Sequence, residues 1–261
     1  MEQVLANFVP LLSALWWPFV RAMAMLSAAP VIGEAMVPVT VRMLVSLVLA
    51  ILMAPVSGSQ GMAIEPISMA GVAATVEQAV IGGVLGLAFH FAMSVIATLG
   101  FVVSSQVGFS LAVMNDPLNG TSSDVISALL AMLAILVFFG IDGHLVITGV
   151  LGASFKAWPL GGGYGTLLLQ TVAWNVAWIF SAAMLLAIPI VFSTMVVQLG
   201  FGFLNRVAPT LNLFALGFSM ITIFGLLMLG QVVRFIPAHY IRMSNQVLDM
   251  IQQQMRATGH G

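Results

Sequence analysis

Residues 104–124 read SSQVGFSLAVMNDPLNGTSSD, with long apolar stretches on both sides. Turn and breaker chemistry fills the stretch: Gly108, Asn115-Asp116-Pro117, Asn119-Gly120 and Thr121-Ser122-Ser123. Proline disfavours the α conformation in the residue before it, and Asn-Gly favours positive φ, so a continuous helix is not expected here. Asp124 stands at the N-cap position of the next apolar run, VISALLAMLAILVFF. The polar stretch nevertheless holds an apolar island, Phe109, Leu111, Ala112, Val113 and Met114. Two readings are open. One is a short surface loop whose apolar residues rest on a neighbour. The other is a re-entrant segment held inside protein or lining a pore, the places where non-helical backbone is tolerated at membrane depth.

Composition brings the membrane into play. Of 261 residues, 61% are hydrophobic and 6% are charged, and the mean hydropathy is +1.14. A soluble domain carries about a quarter charged residues. The chain is therefore read as an integral membrane protein. Its net charge of −1 offers no basic surface for nucleic acid. It has no cysteine, which excludes disulfides, thiolate metal sites and cysteine nucleophiles. Glu2 stands where a signal peptide would carry basic residues, and the first apolar run exceeds an h-region, so no cleavable leader is expected.

On the N-terminal side, Ile67 to Val103 is about twice the length that a 30 Å hydrocarbon core requires. It is either one very long helix or two halves broken near Gly100. Gly82 and Gly86 form a GxxxG pair, and Ala74 and Gln78 continue the same four-residue row, a pattern that lets another helix approach closely. Before it lie a loop, Ser57 to Pro66, a shorter run, Met43 to Val56, a connection, Val31 to Val41, and a first run, Val4 to Pro30. Trp16-Trp17-Pro18 predicts a kink in that first run.

On the C-terminal side, Val125 to Ile141 is interrupted by Asp142-Gly143-His144 before Leu145 to Leu151. Lys156 to Gly165 is a second loop. Leu167 to Val207 is again too long for one span, and Pro189 is expected to kink it. Asn205 to Pro209 makes a turn, and Leu211 to Ile236 is the last long apolar helix. From Tyr240, Ile241, Val247, Leu248, Ile251 and Met255 alternate with polar residues at helical spacing, which predicts an amphipathic helix. Hydropathy thus yields about six segments, two near double length. Such lengths suit hairpins buried in a protein assembly better than helices facing lipid.

Charges inside apolar runs are functional candidates by default. Arg21, Glu77 and His90 qualify as buried polar residues, either functional or paired structurally at helix contacts. Glu77 and His90 are thirteen positions apart, about 20 Å on a straight helix and on opposite faces, so they are not a mutual pair. HExxH, GxSxG and GxxxxGK[ST] are absent, and the four histidines have no acidic partner at ligand spacing. No catalytic residue, cofactor or metal site is expected. Asp142 and His144 look like a helix terminus rather than a site.

Three stretches together resemble the FliR/SctT family of type III secretion export-gate proteins. The first is Gly108-Phe109-Ser110-Leu111-Ala112 followed by Asp116-Pro117. The second is FFGIDGHL, Phe138 to Leu145, followed by Ser154-Phe155 and Pro159. The third, and the most specific, runs Arg206-Val207-Ala208-Pro209-Thr210-Leu211-Asn212-Leu213-Phe214-Ala215-Leu216-Gly217-Phe218. The spacings Arg21…Pro30…Gly33…Pro38…Arg42 and Glu77…Gly82…Gly86 also look familial. The likeness covers nearly the whole chain in order.

The resemblance implies a fold and a role. The fold is an all-α integral membrane protein of long kinked helices and helical hairpins, with one re-entrant plug-like loop and a C-terminal amphipathic helix. Residues 1–261 form one membrane domain: a FliP-like part, 1–165, carrying the loop 104–124, and a FliQ-like hairpin with the amphipathic tail, 166–261. The role is a non-enzymatic subunit of the flagellar export gate in the bacterial inner membrane, at the basal body. FliP and FliQ homologues are implied as pore partners, FlhB and FlhA homologues as neighbours, and unfolded exported proteins as cargo. Gly108, Phe109, Leu111, Val113, Met114, Asp116 and Pro117 become plug or gate candidates. Gly82 and Gly86 are packing candidates, and Arg206, Pro209, Thr210 and Asn212 a partner-facing turn. An injectisome export-gate subunit is the near alternative, favoured less by the Asp116-Pro117 pair and by GFSMIT after the third motif. A small-solute secondary transporter is the alternative of another class, but no repeat pair is found. An intramembrane hydrolase lacks a nucleophile–base pair.

Overall fold

The computed structural model describes the backbone of residues 2–57, 64, 66, 68–109, 114–116, 121–123, 125–163, 166–207 and 213–258. Side chains are described for these residues apart from 2–13, 57, 114–116, 121–123, 166–168, 171, 213–215 and 258. The elements in order are α1 (Glu2–Ala28), α2 (Val39–Ser57), α3 (Met69–Val107), β1 (Met114–Asp116), β2 (Thr121–Ser123), α4 (Val125–Gly140), α5 (Gly143–Ala157), α6 (Thr166–Val207), α7 (Leu213–Val232) and α8 (Ile236–Thr258). A single 3-10 turn, Val233–Phe235, joins α7 to α8. Among the described residues the fold is therefore all-α but for two three-residue strands.

Among the described residues four helical stretches are long and apolar enough to cross a membrane: Val39–Val56, Met69–Val107, Val172–Val207 and Leu216–Ala257. The pair α4 and α5, bent by 63° at its break, makes a fifth if taken as one span. The chain is a multi-pass membrane protein by these lengths and by its composition. The open choice over Ile67 to Val103 is decided: α3 is one unbroken helix of 39 residues that passes through Gly100. α6 likewise runs 42 residues through Pro189, and α1 continues through Pro18.

The break after α4 follows from its sequence. Asp142 is left-handed, with φ 56°, a conformation that Asn and Asp adopt more readily than most other non-glycine residues. It precedes Gly143, and its carbonyl accepts from the N–H groups of Leu145 and Val146, which starts α5. Asp142-Gly143-His144 is thus a helix terminus. The first connection is tighter. Gly33 lies so close to the Ser27 and Ala29 carbonyls that a Cβ would come within 2.5 Å of Ala29 O. The Arg42 guanidinium donates to the carbonyls of Glu34 and Val37 and holds the turn against α2.

Two compact units are distinguished. One comprises residues 1–91, 139–175 and 244–261, and the other 92–138 and 176–243. In the first, α2 packs on α1 and α5, and α5 buries Ile147, Val150, Leu151, Ser154 and Phe155 at helical spacing. In the second, α4 buries Ile126, Leu130, Ala134 and Phe138, every fourth residue. Gly100 of α3 meets Ser127 of α4 closely enough that a Cβ would fall 2.6 Å from the Ser127 Cα. The tail α8 buries Ile236, Tyr240, Met243, Val247 and Ile251. Its buried face therefore includes Tyr240 and Met243, while Ile241, expected on that face, is exposed.

The GxxxG row does what its spacing suggests. Ala74, Gln78, Gly82 and Gly86 are all buried. A Cβ on Gly82 would collide with the Arg21 carbonyl oxygen, and one on Gly86 with that of Met25. Two glycines one turn apart therefore seat α3 against two carbonyls one turn apart on α1. Gly83, next to this row, has nothing within 4 Å of an added Cβ. Gly86→Leu is expected to abolish recovery of folded protein from membranes. Gly83→Ala should be tolerated and gain about 0.5–1 kcal/mol of helix stability. Detergent-solubilised yield and thermal melting of the two variants measure the contrast.

Candidate functional site

Three groups of residues carry the chemistry that sequence reasoning singled out: the buried charge on α1, the end of α3, and the turn after α6.

Arg21 is completely buried. Its Nε donates to Gln78 Oε1 at 2.8 Å, Nη1 to Ser154 Oγ at 3.1 Å, and Nη2 to the Trp158 carbonyl at 2.7 Å. Its guanidinium carbon lies 4.2 Å from the centre of the Phe155 ring. Every nitrogen of the fork is engaged, and the ring covers one face. Gln78 Nε2 in turn donates to Glu77 Oε1 at 3.3 Å, so Glu77, half-buried, joins the network through an amide. His90, thirteen residues on and half-buried, is not among the partners of Arg21. The structure brings Arg21 and Glu77 together and leaves His90 apart. Gln78, Ser154 and Trp158 were missed as its partners, because they lie 57, 133 and 137 positions away in sequence. Ser154 and Phe155 carry a hint of their own, since they belong to the second motif.

At the end of α3, Gly108 has φ +87° and follows the last helical residue, Val107. This is the left-handed glycine that commonly ends a helix. An added Cβ would fall 2.5 Å from Phe218 Cε2 on α7. The Val107 carbonyl, left without an intrahelical donor, accepts from Thr222 Oγ1 at 2.9 Å. Phe109 is half-buried in a single 3-10 position. The chain then forms an antiparallel β-hairpin, Met114 opposite Ser123, Asn115 opposite Ser122 and Asp116 opposite Thr121. Turn chemistry was legible here, but a hairpin of three-residue strands was not. Leu111, Val113, Pro117 and the N-cap candidate Asp124 lie outside the described residues, as do the side chains of Met114 and Asp116.

Arg206 sits exposed in the last turn of α6, where a cation complements the helix C-terminus. Pro209, Thr210 and Asn212 lie outside the described residues. Within the second unit, Gly217 of α7 faces the Phe201 ring of α6 at 3.6 Å, an ordinary packing contact.

Among the described residues no group of three or more His, Asp and Glu could hold a metal ion. An open groove of about 280 Å³ between α1 and α2 is lined by Leu15, Trp16, Phe19, Met43, Leu44 and Leu47. With no polar side chain converging on it beyond the Trp16 indole, which donates to Thr75, it offers contact area rather than chemistry.

The model of bacterial export proteins, family 1, matches residues 12–247. The chain belongs to that family. The family-1 likeness extends to individual curated proteins. Flagellar biosynthetic protein FliR of Pectobacterium carotovorum subsp. carotovorum is 32% identical over 249 residues, covering 94% of each chain. FliR of Escherichia coli strain K12 is 27% identical over 243 residues, covering 92% of each. The surface presentation of antigens protein SpaR of Salmonella typhimurium is 26% identical over 182 residues, covering 69% of this chain and 68% of its own. The motifs around Gly108, Asp142 and Arg206 were thus a sound guide to the type III export family.

A buried ion loses several kcal/mol of hydration, and removing its partners leaves that loss uncompensated. Arg21→Ala is expected to destabilise the first unit by about 3–5 kcal/mol. Arg21→Met with Gln78→Leu should cost less than the two single changes summed, because both orphaned groups are removed together. Chemical unfolding of the purified variants in detergent gives both numbers.

Proposed function

We propose that this protein is a non-enzymatic subunit of the flagellar type III export gate. With FliP and FliQ homologues it forms the inner-membrane pore through which unfolded flagellar proteins leave the cell. FlhB and FlhA homologues are its neighbours at the basal body. The observation that carries this reading is a family match over residues 12–247 on a chain whose long helices leave apolar faces uncovered. On α6, Phe180, Leu185, Phe192 and Phe203 are 61–70% exposed. Faces of this size call for lipid or for partner helices. The flagellar reading is preferred to the injectisome one because FliR relatives match over more of the chain than SpaR does, and the Pectobacterium FliR at higher identity.

In this reading residues 1–165 are the FliP-like part and 166–261 the FliQ-like hairpin and tail. The segment from Gly108 to Gly120 is the plug that closes the pore at rest. Phe109, Leu111, Val113 and Met114 make its seal, Gly108 and the stretch from Asn115 to Gly120 are its hinges, and Asp116-Pro117 shapes the return. Burying such side chains is worth about 1.5–3 kcal/mol each, enough for a few of them to hold a closed state that cargo can displace. The turn of Arg206, Pro209, Thr210 and Asn212 is the partner-facing corner. Support comes from the α3 terminus, where an unbroken 39-residue helix stops at a left-handed glycine and gives way to a short hairpin.

Deleting Phe109 to Met114 should raise ion leakage through the membrane of cells that make the full complex, without loss of assembly. Unchanged conductance with an intact complex would rule out the plug. Thr210→Cys, the only thiol in an otherwise cysteine-free chain, should cross-link to a copurifying FlhB-type subunit. Products confined to this chain would remove the partner from that corner.

A further inference from the structure

One face of α7 is devoted to the end of α3. Phe218, Thr222, Gly225 and Leu229 recur at four, three and four residues, one stripe of a helix. Phe218 lies over Gly108, and Thr222 donates to the Val107 carbonyl. Gly225 is so close to the Val107 side chain that no Cβ fits, and Leu229 is buried. Thr194 of α6 adds a hydroxyl 3.4 Å from Gln106 Oε1, one residue before Val107. The last turn of α3 is therefore gripped by side chains of α7, with Thr194 of α6 beside them.

The grip is reversible by construction. The Thr222 hydroxyl has one hydrogen and two acceptors in range: the Val107 carbonyl at 2.9 Å and, on its own helix, the Phe218 carbonyl at 3.0 Å. Back-bonding to the carbonyl four residues earlier satisfies the hydroxyl whether or not α3 is present. Releasing Val107 then leaves no orphaned donor on α7. Leaving one unsatisfied is the costly outcome that normally locks a buried polar contact. Gly108 contributes the second half. Its left-handed φ and the Phe218 ring over its Cα fix the direction in which the chain leaves α3.

We propose that Thr222 and Phe218 are positioning residues that latch the exit of α3, and that small shifts of α7 release it. Where the segment after Gly108 is the plug, a reading on which the functional consequence rests, the latch holds the plug seated. A change felt by α7 is then converted into a change in the plug.

The test uses the assembled complex and the absence of native thiols from this chain, with labelling read on this subunit alone. Ser110→Cys, two residues beyond Gly108, is labelled with a maleimide in otherwise native complex, alongside ion conductance of the same complex without the cysteine. Thr222→Val, nearly isosteric, should raise the labelling rate about fivefold, the factor one ordinary hydrogen bond supports. Thr222→Ser should restore the native rate. Gly108→Ala should raise labelling too, and so should Phe218→Ala, which removes the ring that sets the exit direction. Raised labelling in Thr222→Val with unchanged conductance, in complex that also fails to leak when Phe109 to Met114 is deleted, supports the latch and refutes the plug. Native labelling in Thr222→Val, with leakage on deletion, refutes the latch and keeps the plug. Equal complex yield in each case excludes loss of assembly as the cause.

Discussion

The packing of the first unit depends on burying one guanidinium. Arg21 has no exposure, and in a chain with seven Lys and Arg among 261 residues its cost is not spread over a charged surface. A cation in such a place survives only if its donors are all met. The fork meets them on two other helical segments, Gln78 on α3 and Ser154 with the Trp158 carbonyl at the end of α5. Its planar, fixed geometry makes each contact constrain the others. The carbonyl of the same residue is the atom against which Gly82 packs. Arg21 thus fixes rotation through its side chain and separation through its backbone. A shift of α3 by one residue would turn Gln78 away and drive a Cβ into α1.

How much of this was legible can be followed residue by residue. The glycine row on α3 was readable because close approach has a local signature, small residues four apart. Asp142-Gly143 was readable as a terminus because its backbone chemistry is local. The choice between one long helix and two halves around Gly100 was not, since a lone glycine is compatible with both. Gly100 turns out to mark a contact with Ser127 rather than a break. The buried face of α8 was misjudged by a few residues: a stripe through Ile241 is as apolar as one through Tyr240 and Met243, and packing makes the choice. The partners of Arg21 were illegible in principle, being set by tertiary geometry across more than fifty residues. The same holds for Phe218 and Gly108. Each sits in a recognisable motif, but nothing in either motif says that they meet.

The uncovered faces separate the chain's own requirements from those of its surroundings. Over an apolar window of 18 residues, 61% of α3 is buried within this one chain, against 17% of α2 and 28% of α6. α3 is apolar all round because neighbours of the same chain cover it, as such helices require. α2 and α6 are just as apolar, yet Leu44, Val48, Ile51 and Leu52 of α2 stand 55–60% exposed. Hydropathy alone does not tell these cases apart. Close-contact glycines do: α3 carries them at 82, 86 and 100, whereas no atom lies within 4 Å of a Cβ added to Gly200 or Gly202 of α6.

The polar contacts fall into two kinds, and the difference bears on motion. Arg21 has no alternative partner on its own helix, so any displacement strands a charge. The hydroxyls of Thr194 and Thr222 each also reach carbonyls of their own helices, Ile190 and Val191 for one and Phe218 for the other. Loss of their contacts to α3 returns the hydroxyls to those carbonyls, so only the acceptor on α3 loses a partner. The first kind makes a segment stiff, because intermediate positions leave ions and donors unpaired. The second permits small shifts without a large barrier, since no buried donor is abandoned on the way. A membrane chain with few polar groups can thus set which of its contacts are fixed and which are exchangeable by choosing between a side chain with no local acceptor and one that carries its acceptor with it.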